Sequence, residues 1–392
     1  MRACRREPPH PISVTVRPGS VWLAAVSNLR EAVSGIGSVR KIIDASREAA
    51  ARGGLSLPRQ LFEMTTLKLT RNLGPNYYHS GRFWRRDMPF RDKWRHANNR
   101  EYEKLLFAIN PALYQKASQH KVLEKATLTL FGIPTPRFIG FFHSSRGAAA
   151  DQGGLCTLAD LRRVLLPYRG QRTCFKAVEG YGGRSFAALE VDAGGGHLQH
   201  PVSGRRWTLD AWHGALLESR EGWLLEEFLP QHPVLADINP SSVNTLRIWV
   251  LEQRGEFQAH HALLRVGRAG SQVDNTSSGG FACPVEIDSG RLLAAPNLVD
   301  PHHPITRHPD NGFALVGCQL PFWQESLALG CKALSVFPKM RFAGLDVAIT
   351  PTGPCMIELN VFPDRISALR WDLPLKDFFE PALQTSGEAE IA

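Results

Sequence analysis

Residues 342–364 read FAGLDVAITPTGPCMIELNVFPD, and this stretch decides the predicted fold. Two runs of alternating character, 342–350 and 354–361, flank the tripeptide Pro-Thr-Gly at 351–353, a pattern typical of a β-hairpin. Pro can open a type I turn and Gly can take the left-handed position after it, so we expect a three-residue loop. A two-residue loop would shift the pairing by one residue and send the side chains of one strand to the other face.

The three-residue loop sets the register of the two strands. It places Asp346 opposite Glu358 and Gly344 opposite Asn360, so the carboxylates and the Asn360 amide would share one face. Two carboxylates directly opposite each other repel, and neither has a Lys or Arg beside it in the sequence. The set is therefore either a Mg²⁺ site, because that ion prefers oxygen ligands, or a half-exposed edge hairpin with solvated polar side chains.

The composition is that of a globular protein with an anionic partner. A chain of 392 residues is long enough for two or three structural units, and 43% hydrophobic with 21% charged residues is ordinary. The net charge of +9 fits ATP, phosphorylated sugars, nucleic acid or an anionic membrane surface. Basic residues are scattered except around 82–100, which disfavours specific nucleic-acid binding.

The cysteines and the N-terminal sequence predict a cytoplasmic protein. There are 7 cysteines, an odd number without CxxC spacing, which indicates reduced thiols rather than a disulfide framework. The first residues, MRACRREPPHPISV, lack the apolar core and small-residue cleavage site of a secretory signal. No run of eighteen apolar residues occurs, so we expect no transmembrane segment.

Residues 1–115 are predicted to form a mainly helical extension rich in aromatic and basic residues. Apolar residues at helical spacing predict helices over 21–51 and 58–73, and one continuous helix over 111–131. The segment 77–100 alternates aromatic residues with arginines. Such a segment either binds an anionic substrate or wraps the core with its aromatic side chains packed, and the packed arrangement is the more common.

A lysine and a glycine-rich turn follow one another in the middle of the chain. Lys176 lies inside the short apolar strand 173–178, and residues 179–185 then read EGYGGRS. Backbone N–H groups of such a loop can close over phosphate oxygens. Because 186–191 reads as another strand, the motif is neither a P-loop nor a dinucleotide fingerprint. The alternative is a plain glycine hairpin with a lysine reaching towards solvent.

Two further strands carry charged residues that need partners. Glu226 and Glu227 stand in the apolar strand 223–229, where they are costly unless they find donors such as adenine or ribose groups. Arg247 lies within the apolar strand 242–250, a position that normally requires an anion. The polar, glycine-rich stretch 270–280 is typical of a functional loop.

Six features follow one another along the chain: HKVLEKATLTLFGIPTP, the strand lysine, the glycine loop, the paired acids, the strand arginine and D…ExN. In this order they resemble the ATP-grasp superfamily over residues 119–364. The resemblance is greatest to the sugar-transferase-associated branch of this superfamily, which is related to α-L-glutamate ligases. It lies in the sequence segments SVNTLRIWVL, GSQVDNTSSGG and GLDVAITPTGPCMIELN. The resemblance implies an α+β fold in which two α+β lobes grip ATP. Residues 116–150 and 230–392 would form the core, 151–229 the central lid, and 1–115 a helical extension.

The resemblance also implies roles for individual residues. Residues expected to bind ATP are Lys121, Lys176, Gly180, Gly182, Gly183, Ser185, Glu226, Glu227, Phe228 and Leu229. Residues expected to hold Mg²⁺ are Asp346, Glu358 and Asn360. Residues expected to act on the transferred phosphoryl group are Arg247 and Lys176. Residues expected near the acceptor are Asn244, Arg247, Asp274, Asn275, Gly279 and Gly280. One departure from the pattern is His120, where many relatives carry Asp.

The implied reaction joins a carboxylate to an amine with ATP and Mg²⁺. The carboxylate is first phosphorylated, and the amine then displaces phosphate from the acyl phosphate, so no Ser or Cys nucleophile is needed. The substrates would be small molecules or glycan- or peptide-linked groups, not nucleic acid. Two alternatives are a kinase for a sugar or polyol on the same scaffold, and a non-catalytic nucleotide-binding accessory protein of polysaccharide biosynthesis.

Overall fold

The computed structural model describes residues 39–180, 185–297, 300 and 302–389. Within these ranges the chain forms two compact units, which we call the small unit (137–228) and the large unit (39–136 with 229–389). The small unit begins earlier than the predicted lid boundary at 151, because the strand starting at Phe138 pairs with the strand that ends at Glu227.

The described residues form twelve α-helices and twelve β-strands. The helices are α1 (Val39–Ala51), α2 (Leu57–Arg71), α3 (Pro75–Ser80), α4 (Phe90–Arg95), α5 (Asn99–Ile109), α6 (Ala112–Gln119), α7 (Lys121–Leu130), α8 (Leu158–Leu165), α9 (Leu209–Leu217), α10 (Pro233–Ile238), α11 (Trp323–Ser335) and α12 (Leu375–Ala389). The strands are β1 (Phe138–Phe142), β2 (Ala148–Ala149), β3 (Arg172–Ala177), β4 (Phe186–Val191), β5 (His197–Gln199), β6 (Arg206–Thr208), β7 (Trp223–Glu227), β8 (Thr245–Gln253), β9 (Glu256–Val266), β10 (Phe281–Val285), β11 (Phe342–Thr350) and β12 (Gly353–Asn360). None of the described helices has the length and apolar character needed to cross a bilayer.

The small unit is a seven-stranded sheet in the order β2-β1-β7-β3-β4-β5-β6, and each neighbouring pair is antiparallel. Alternate side chains of β3 and β7, including Phe175 and Leu225, are buried with α8 and α9 in one apolar core. Because side chains alternate along a strand, the opposite face carries Cys174, Lys176 and Glu226. One face of this sheet therefore holds the core and the other holds charged groups.

The large unit is built on a five-stranded antiparallel sheet in the order β10-β9-β8-β11-β12. Ile248 and Val250 face α11 in the largest apolar core of the unit. Trp249 and Leu251 point to the other face, where they pack with side chains of α5 and α12. β8 is thus buried on both faces, which explains why it reads as a nearly continuous apolar run.

The N-terminal helices pack around the aromatic segment 77–100. Tyr77, Tyr78 and Phe83 are buried in one cluster with residues of α2. Arg82 and Arg85 each pair with Asp372, at 3.2 and 2.8 Å. The packed arrangement is therefore confirmed for these residues, and neither arginine is left for an anionic substrate. Of the helix predicted over 21–51, residues 39–51 are helical and the remainder lies outside the described residues.

The prediction of one continuous helix over 111–131 is wrong, because the segment forms two helices, α6 and α7. His120 is extended there, with φ −111° and ψ 102°, and its ring nitrogen accepts a hydrogen bond from Leu123 N at 3.4 Å. The ring thereby caps the new helix, which begins at Lys121. A side-chain cap inside an apolar pattern does not alter the helical periodicity, so the sequence pattern does not reveal the break.

Replacement of Lys93 by Met is expected to destabilise the protein by about 3 kcal/mol, because it takes from the buried Glu63 carboxylate its one buried cationic partner among the described residues. The half-exposed Arg59 and the Tyr78 hydroxyl then remain as its partners. Lys93 Nζ lies 2.7 Å from Glu63 Oε2, and the two side chains are 1% and 2% exposed. Denaturant unfolding measures the change. The control Arg40→Met removes an exposed pair with Asp44 and should change the free energy of unfolding by less than about 0.5 kcal/mol. Equal effects of the two variants would contradict the prediction.

Stability is expected to fall as the pH drops from 6.5 towards 4. Burial lowers the pKa of His96 to about 3, so the unfolded chain binds a proton below pH 6.5 that the folded chain excludes. This histidine contributes a slope of up to about 1.4 kcal/mol per pH unit in that window. His96→Asn, which keeps an acceptor 3.1 Å from the Tyr77 hydroxyl, should flatten the slope measured by unfolding at successive pH values. The exposed His303→Asn control should leave the slope unchanged.

Candidate active site

The hairpin of β11 and β12 turns in two residues rather than three. Thr350 pairs with Gly353, which has φ +137°, so the predicted three-residue loop is wrong. The Thr350 hydroxyl donates to Gly353 O at 2.8 Å and accepts from Thr352 N at 3.2 Å. These hydrogen bonds stabilise the shorter turn, a property of the threonine side chain that the Pro-Thr-Gly pattern does not reveal.

A β-bulge further along the hairpin restores the predicted pairing. Val347 pairs with Met356 and Asp346 with Glu358, so Ile357 is an extra residue in β12. The bulge adds one residue to the strand and cancels the one-residue shift caused by the shorter turn. Asp346 therefore lies opposite Glu358 as expected, although the reason differs from the predicted one.

Several charged residues of the large unit lie on one face of the five-stranded sheet. Arg247 on β8 pairs directly with Asp346, and Arg265 on β9 lies opposite Thr245, two positions before Arg247. Because alternate residues share a face, these arginines lie on the same side as Asp346, Glu358 and Asn360. This is also the side of Trp249, away from α11.

Asp346 is held between two arginines. The Arg247 guanidinium donates to both of its oxygens, with Nη2 3.0 Å from Oδ2, and Arg265 Nη1 lies 2.8 Å from Oδ2. Arg265 also reaches Asp274, with Nη2 2.9 Å from Oδ1, and Thr245 N donates to Asp274 Oδ2 at 3.0 Å. Sequence reasoning missed Arg265, whose only signal is a basic residue inside the apolar strand HHALLRV.

The two arginines fix the charge of this carboxylate. Burial raises the pKa of Asp346, which is 5% exposed, but Arg247 and Arg265 outweigh that effect and hold the pKa below its ordinary value. Burial likewise lowers the pKa of Arg265, while Asp274 and Asp346 raise it above its usual range. Asp346 and Arg265 therefore both stay charged near neutral pH.

The oxygen set on the hairpin fits magnesium. Glu358 is 36% exposed and has Oε1 3.7 Å from Lys121 Nζ, and Asn360 Oδ1 accepts one hydrogen bond from Phe362 N at 2.9 Å. Glu358 and Asn360 each keep a lone pair for a cation, whereas both oxygens of Asp346 already accept hydrogen bonds from the two arginines. Carboxylate and amide oxygens that leave other positions to water and phosphate are the set that Mg²⁺ prefers. No cluster of three or more His, Cys, Asp or Glu among the described residues could hold a metal by itself.

In the small unit, the strand lysine pairs with one of the two paired acids. Lys176 Nζ lies 2.6 Å from Glu226 Oε2, on the face opposite the core. Glu227 Oε1 lies 3.3 Å from Arg137 Nη1 and accepts from the Tyr168 hydroxyl at 3.0 Å. Glu226 and Glu227 therefore each have a partner within the protein, whereas the sequence pattern suggests adenine or ribose groups as their hydrogen-bond donors.

The glycine-rich loop is described only at its ends. Gly180 follows β3, and Ala177 N donates to Ser185 O at 2.9 Å, which closes the base of the loop. Gly182 and Gly183 lie outside the described residues. The remaining residues predicted to bind the nucleotide lie elsewhere. Phe228 ends the small unit with its ring 5.4 Å from the Arg172 guanidinium carbon, and Leu229 lines a depression beside the hairpin turn in the large unit.

Of the predicted acceptor residues, Asn244 has a structural role. It is fully buried, and its amide nitrogen donates to Gln231 Oε1, Leu235 O and Asn239 O at 2.9–3.0 Å, while its oxygen accepts from Gly267 N at 3.3 Å. An amide with both of its N–H groups used in this way offers little to a substrate, and the expected contact stays a prediction.

The loop that carries the other predicted acceptor residues is a tight turn. Asp274 anchors it to Arg265, and Asn275 O accepts from Gly280 N at 3.1 Å. Gly279 has φ +86°, and a Cβ on Gly280 would lie 2.7 Å from Asp274 O. Both glycines are therefore required by the turn itself.

Replacement of Gly344 by Ala is expected to destabilise the protein by about 1–3 kcal/mol. The new Cβ would lie 2.8 Å from Pro363 Cβ and 2.9 Å from Arg247 Cδ, so the arginine that holds Asp346 must move. Denaturant unfolding measures the loss. Gly330→Ala in α11 is a matched control, because its Cβ meets nothing closer than 3.6 Å and alanine favours a helix. A Gly344→Ala protein as stable as this control would contradict the prediction.

Several solved structures are similar to this chain at low sequence identity. The N5-carboxyaminoimidazole synthase from Aspergillus clavatus, in complex with ADP, is 12% identical with a TM-score of 0.38, over 68% of this chain and 51% of that one. The D-alanine-D-alanine ligase from Coxiella burnetii is 12% identical with a TM-score of 0.41, over 72% and 62%. The L-amino acid ligase from Bacillus licheniformis is 13% identical with a TM-score of 0.35, over 68% and 49%. The chain thus spans about half the length of the first and third of these proteins.

A search of curated protein sequences gives no match. The family model described as "sugar-transfer associated ATP-grasp" matches residues 98–368, well over half of the chain. That range contains both sheets and the hairpin that carries Asp346, Glu358 and Asn360. The predicted α+β fold is therefore confirmed, and the chain belongs to the sugar-transfer associated ATP-grasp family.

Proposed function

We propose that this protein is an ATP- and Mg²⁺-dependent carboxylate–amine ligase that works through an acyl phosphate. The observation that carries the proposal is the pairing of Asp346 with Glu358 on the same sheet face as Arg247 and Arg265. Oxygen ligands for a cation and guanidinium groups for an anion lie side by side there. Phosphorylation of a carboxylate brings two negative substrates together and so needs both kinds of group.

Asp346, Glu358 and Asn360 would hold Mg²⁺, which when bound offsets the charge of the phosphate oxygens. Lys121, whose Nζ lies 3.7 Å from Glu358 Oε1, would bind the same oxygens. Lys176 and the loop from Gly180 to Ser185 would bind ATP from the small unit, the proposed lid. A guanidinium held as firmly as that of Arg247 loses little freedom when it contacts the transferred group, which favours catalysis by preorganisation.

The chemistry divides into two displacements. A carboxylate oxygen of the acid attacks the γ-phosphorus, and the bond to ADP breaks, which leaves an acyl phosphate. The amine nitrogen then attacks the acyl carbon, inorganic phosphate leaves, and the nitrogen loses a proton to give the amide. Phosphate is a much better leaving group than hydroxide, which is why ATP is consumed. Closure of the glycine-rich loop would keep water from the acyl phosphate.

The family description points towards sugar transfer, which favours a glycan-linked or peptide-linked acid or amine as substrate. The loop with Asp274, Asn275, Gly279 and Gly280 would line the acceptor side, because Asp274 is tied to Arg265. Residues 1–115 would support the core as a helical extension. The odd number of cysteines favours a cytoplasmic location.

Hydroxylamine trapping tests the reaction class. The purified full chain, incubated with ATP, Mg²⁺, hydroxylamine and a panel of carboxylic acids, is expected to yield a hydroxamate and ADP in equal amounts. A phosphoester that resists hydroxylamine, formed from a sugar or polyol, would instead show a kinase. Absence of any ADP release with every acid and amine tried would favour the accessory role and contradict the proposal.

Glu358→Gln is expected to lower kcat/KM for ADP release by about a hundredfold or more, because a metal ion supplies several kcal/mol to the transition state. The same change at the exposed Glu256, the first residue of β9, is the control and should leave the rate unchanged. Steady-state ADP release at several Mg²⁺ concentrations measures both variants. An unchanged rate in Glu358→Gln would remove the metal role assigned to the hairpin.

A further inference from the structure

Arg370 is a buried arginine without a hydrogen-bond or ion-pair partner among the described residues. It lies in the short 3₁₀ helix Arg365–Trp371 that follows the hairpin, and it is 7% exposed. Its Nε is enclosed and has no hydrogen-bond partner. Within the part of the chain that the structure describes, its guanidinium makes no hydrogen bond and has no carboxylate within 4 Å. A buried charge in this state is costly, so its presence points to a ligand.

The second arginine of the same helix shows that such a charge can be satisfied by the protein. Arg365 is 8% exposed, and it donates to Asn99 Oδ1 and to Ala97 O, both at 2.8 Å. Its guanidinium carbon also lies 4.3 Å from the centre of the Tyr77 ring. Two arginines of similar burial in one helix thus differ, because Arg365 makes hydrogen bonds to Asn99 and Ala97 and Arg370 makes none with the described residues.

The surroundings of Arg370 place it beside the charged face of the sheet. The neighbouring Trp371 packs on Trp249, with ring centres 5.0 Å apart, and stacks on His261 at 4.8 Å. These contacts fix the helix over β8 and β9. Burial lowers the pKa of Arg370, and the charges of Arg247 and Arg265 lower it further. Arg370 is therefore electrostatically coupled to both arginines that hold Asp346.

Of the three arginines in this cluster, only Arg370 lacks a carboxylate within 4 Å among the described residues. Arg247 and Arg265 share Asp346, and Arg265 also pairs with Asp274. Asp364, the acid that acts on Arg370 through space, accepts a hydrogen bond from Ile366 N at 3.0 Å and forms no ion pair with it within 4 Å. Arg247 and Arg265 are thus paired with close carboxylates, whereas Asp364 acts on Arg370 only through space.

We propose that Arg370 anchors an oxyanion at this face, the carboxylate of the acid substrate. The planar fork of a guanidinium matches a carboxylate in two parallel hydrogen bonds. A carboxylate bound there would lie over the sheet face that carries Arg247, to which Trp371 fixes the helix. The choice of a carboxylate rests on the proposed function, whereas the oxyanion site rests on the unpaired guanidinium alone. Arg370 lies outside residues 98–368 that the family model matches.

Binding of small anions in the absence of ATP tests the site without turnover. The full chain is titrated separately with ¹³C-labelled acetate and with inorganic phosphate at constant ionic strength, and line broadening gives the affinities. Arg370→Gln is compared with the wild type and with the matched control Arg365→Gln. Chemical unfolding of all three proteins is measured in parallel, so that a loss of binding is separated from a loss of fold.

Arg370→Gln is expected to weaken acetate binding by about ten- to a hundredfold, the usual range for charge-assisted hydrogen bonds. Its unfolding midpoint should equal or exceed that of the wild type, because an uncompensated buried charge has been removed. Arg365→Gln should show the reverse pattern, with normal acetate affinity and a lower midpoint.

Three results would overturn the assignment. If Arg370→Gln binds acetate normally and unfolds as early as Arg365→Gln, the guanidinium has a structural role. If the wild type binds neither anion, there is no oxyanion site. If phosphate binding alone depends on Arg370, the site takes a phosphate and the carboxylate assignment is wrong. Failure of hydroxamate formation with an intact acetate response would reject the proposed ligase and leave the anion site standing.

Discussion

The large unit depends on one buried carboxylate held by two guanidinium groups. Asp346 on β11 is bound by Arg247 from β8 and by Arg265 from β9, so a single side chain ties three adjacent strands together. A carboxylate that is 5% exposed needs such partners, since an unpaired charge in that position is strongly destabilising. The strands could not slip past each other without breaking these bonds. The same contact therefore fixes the register of these strands and the charge of Asp346.

The same contact orders the surrounding site. Arg265 extends the network to Asp274, and Thr245 N binds the other oxygen of that carboxylate, so the loop after β9 is tied to the strand that carries Arg247. A site built from mutually paired charges is rigid before any ligand arrives. Preorganised charges stabilise a transition state without reorganising during the reaction, which is the main contribution expected of a protein in phosphoryl transfer.

The position of individual strands could be predicted from the sequence, whereas the side-chain contacts between strands could not. The alternating run Phe342–Thr350 is a strand with the predicted bounds, and so is Phe186–Val191. The pairing of Asp346 with Glu358 was predicted from the wrong turn, and it is correct only because the bulge at Ile357 cancels that error. Arg265 and Arg370 gave no usable signal, because what distinguishes them is which side chains lie near them in three dimensions. Periodicity reports the direction of a side chain and not its partner.

The N-terminal helices, which no motif explains, belong to the support of this sheet face. Asn110 binds Phe342 at both N and O, at 3.1 and 2.7 Å, and so holds the first residue of β11. The Tyr102 hydroxyl donates to Pro363 O at 2.9 Å, and Arg365 binds Ala97 O, which fixes the segment that carries Arg370. Both ends of the hairpin region are thus held by α5 and its flanking residues. Residues 97–110 therefore hold the charged face in position, and loss of their contacts would loosen the proposed metal ligands and Arg370 together.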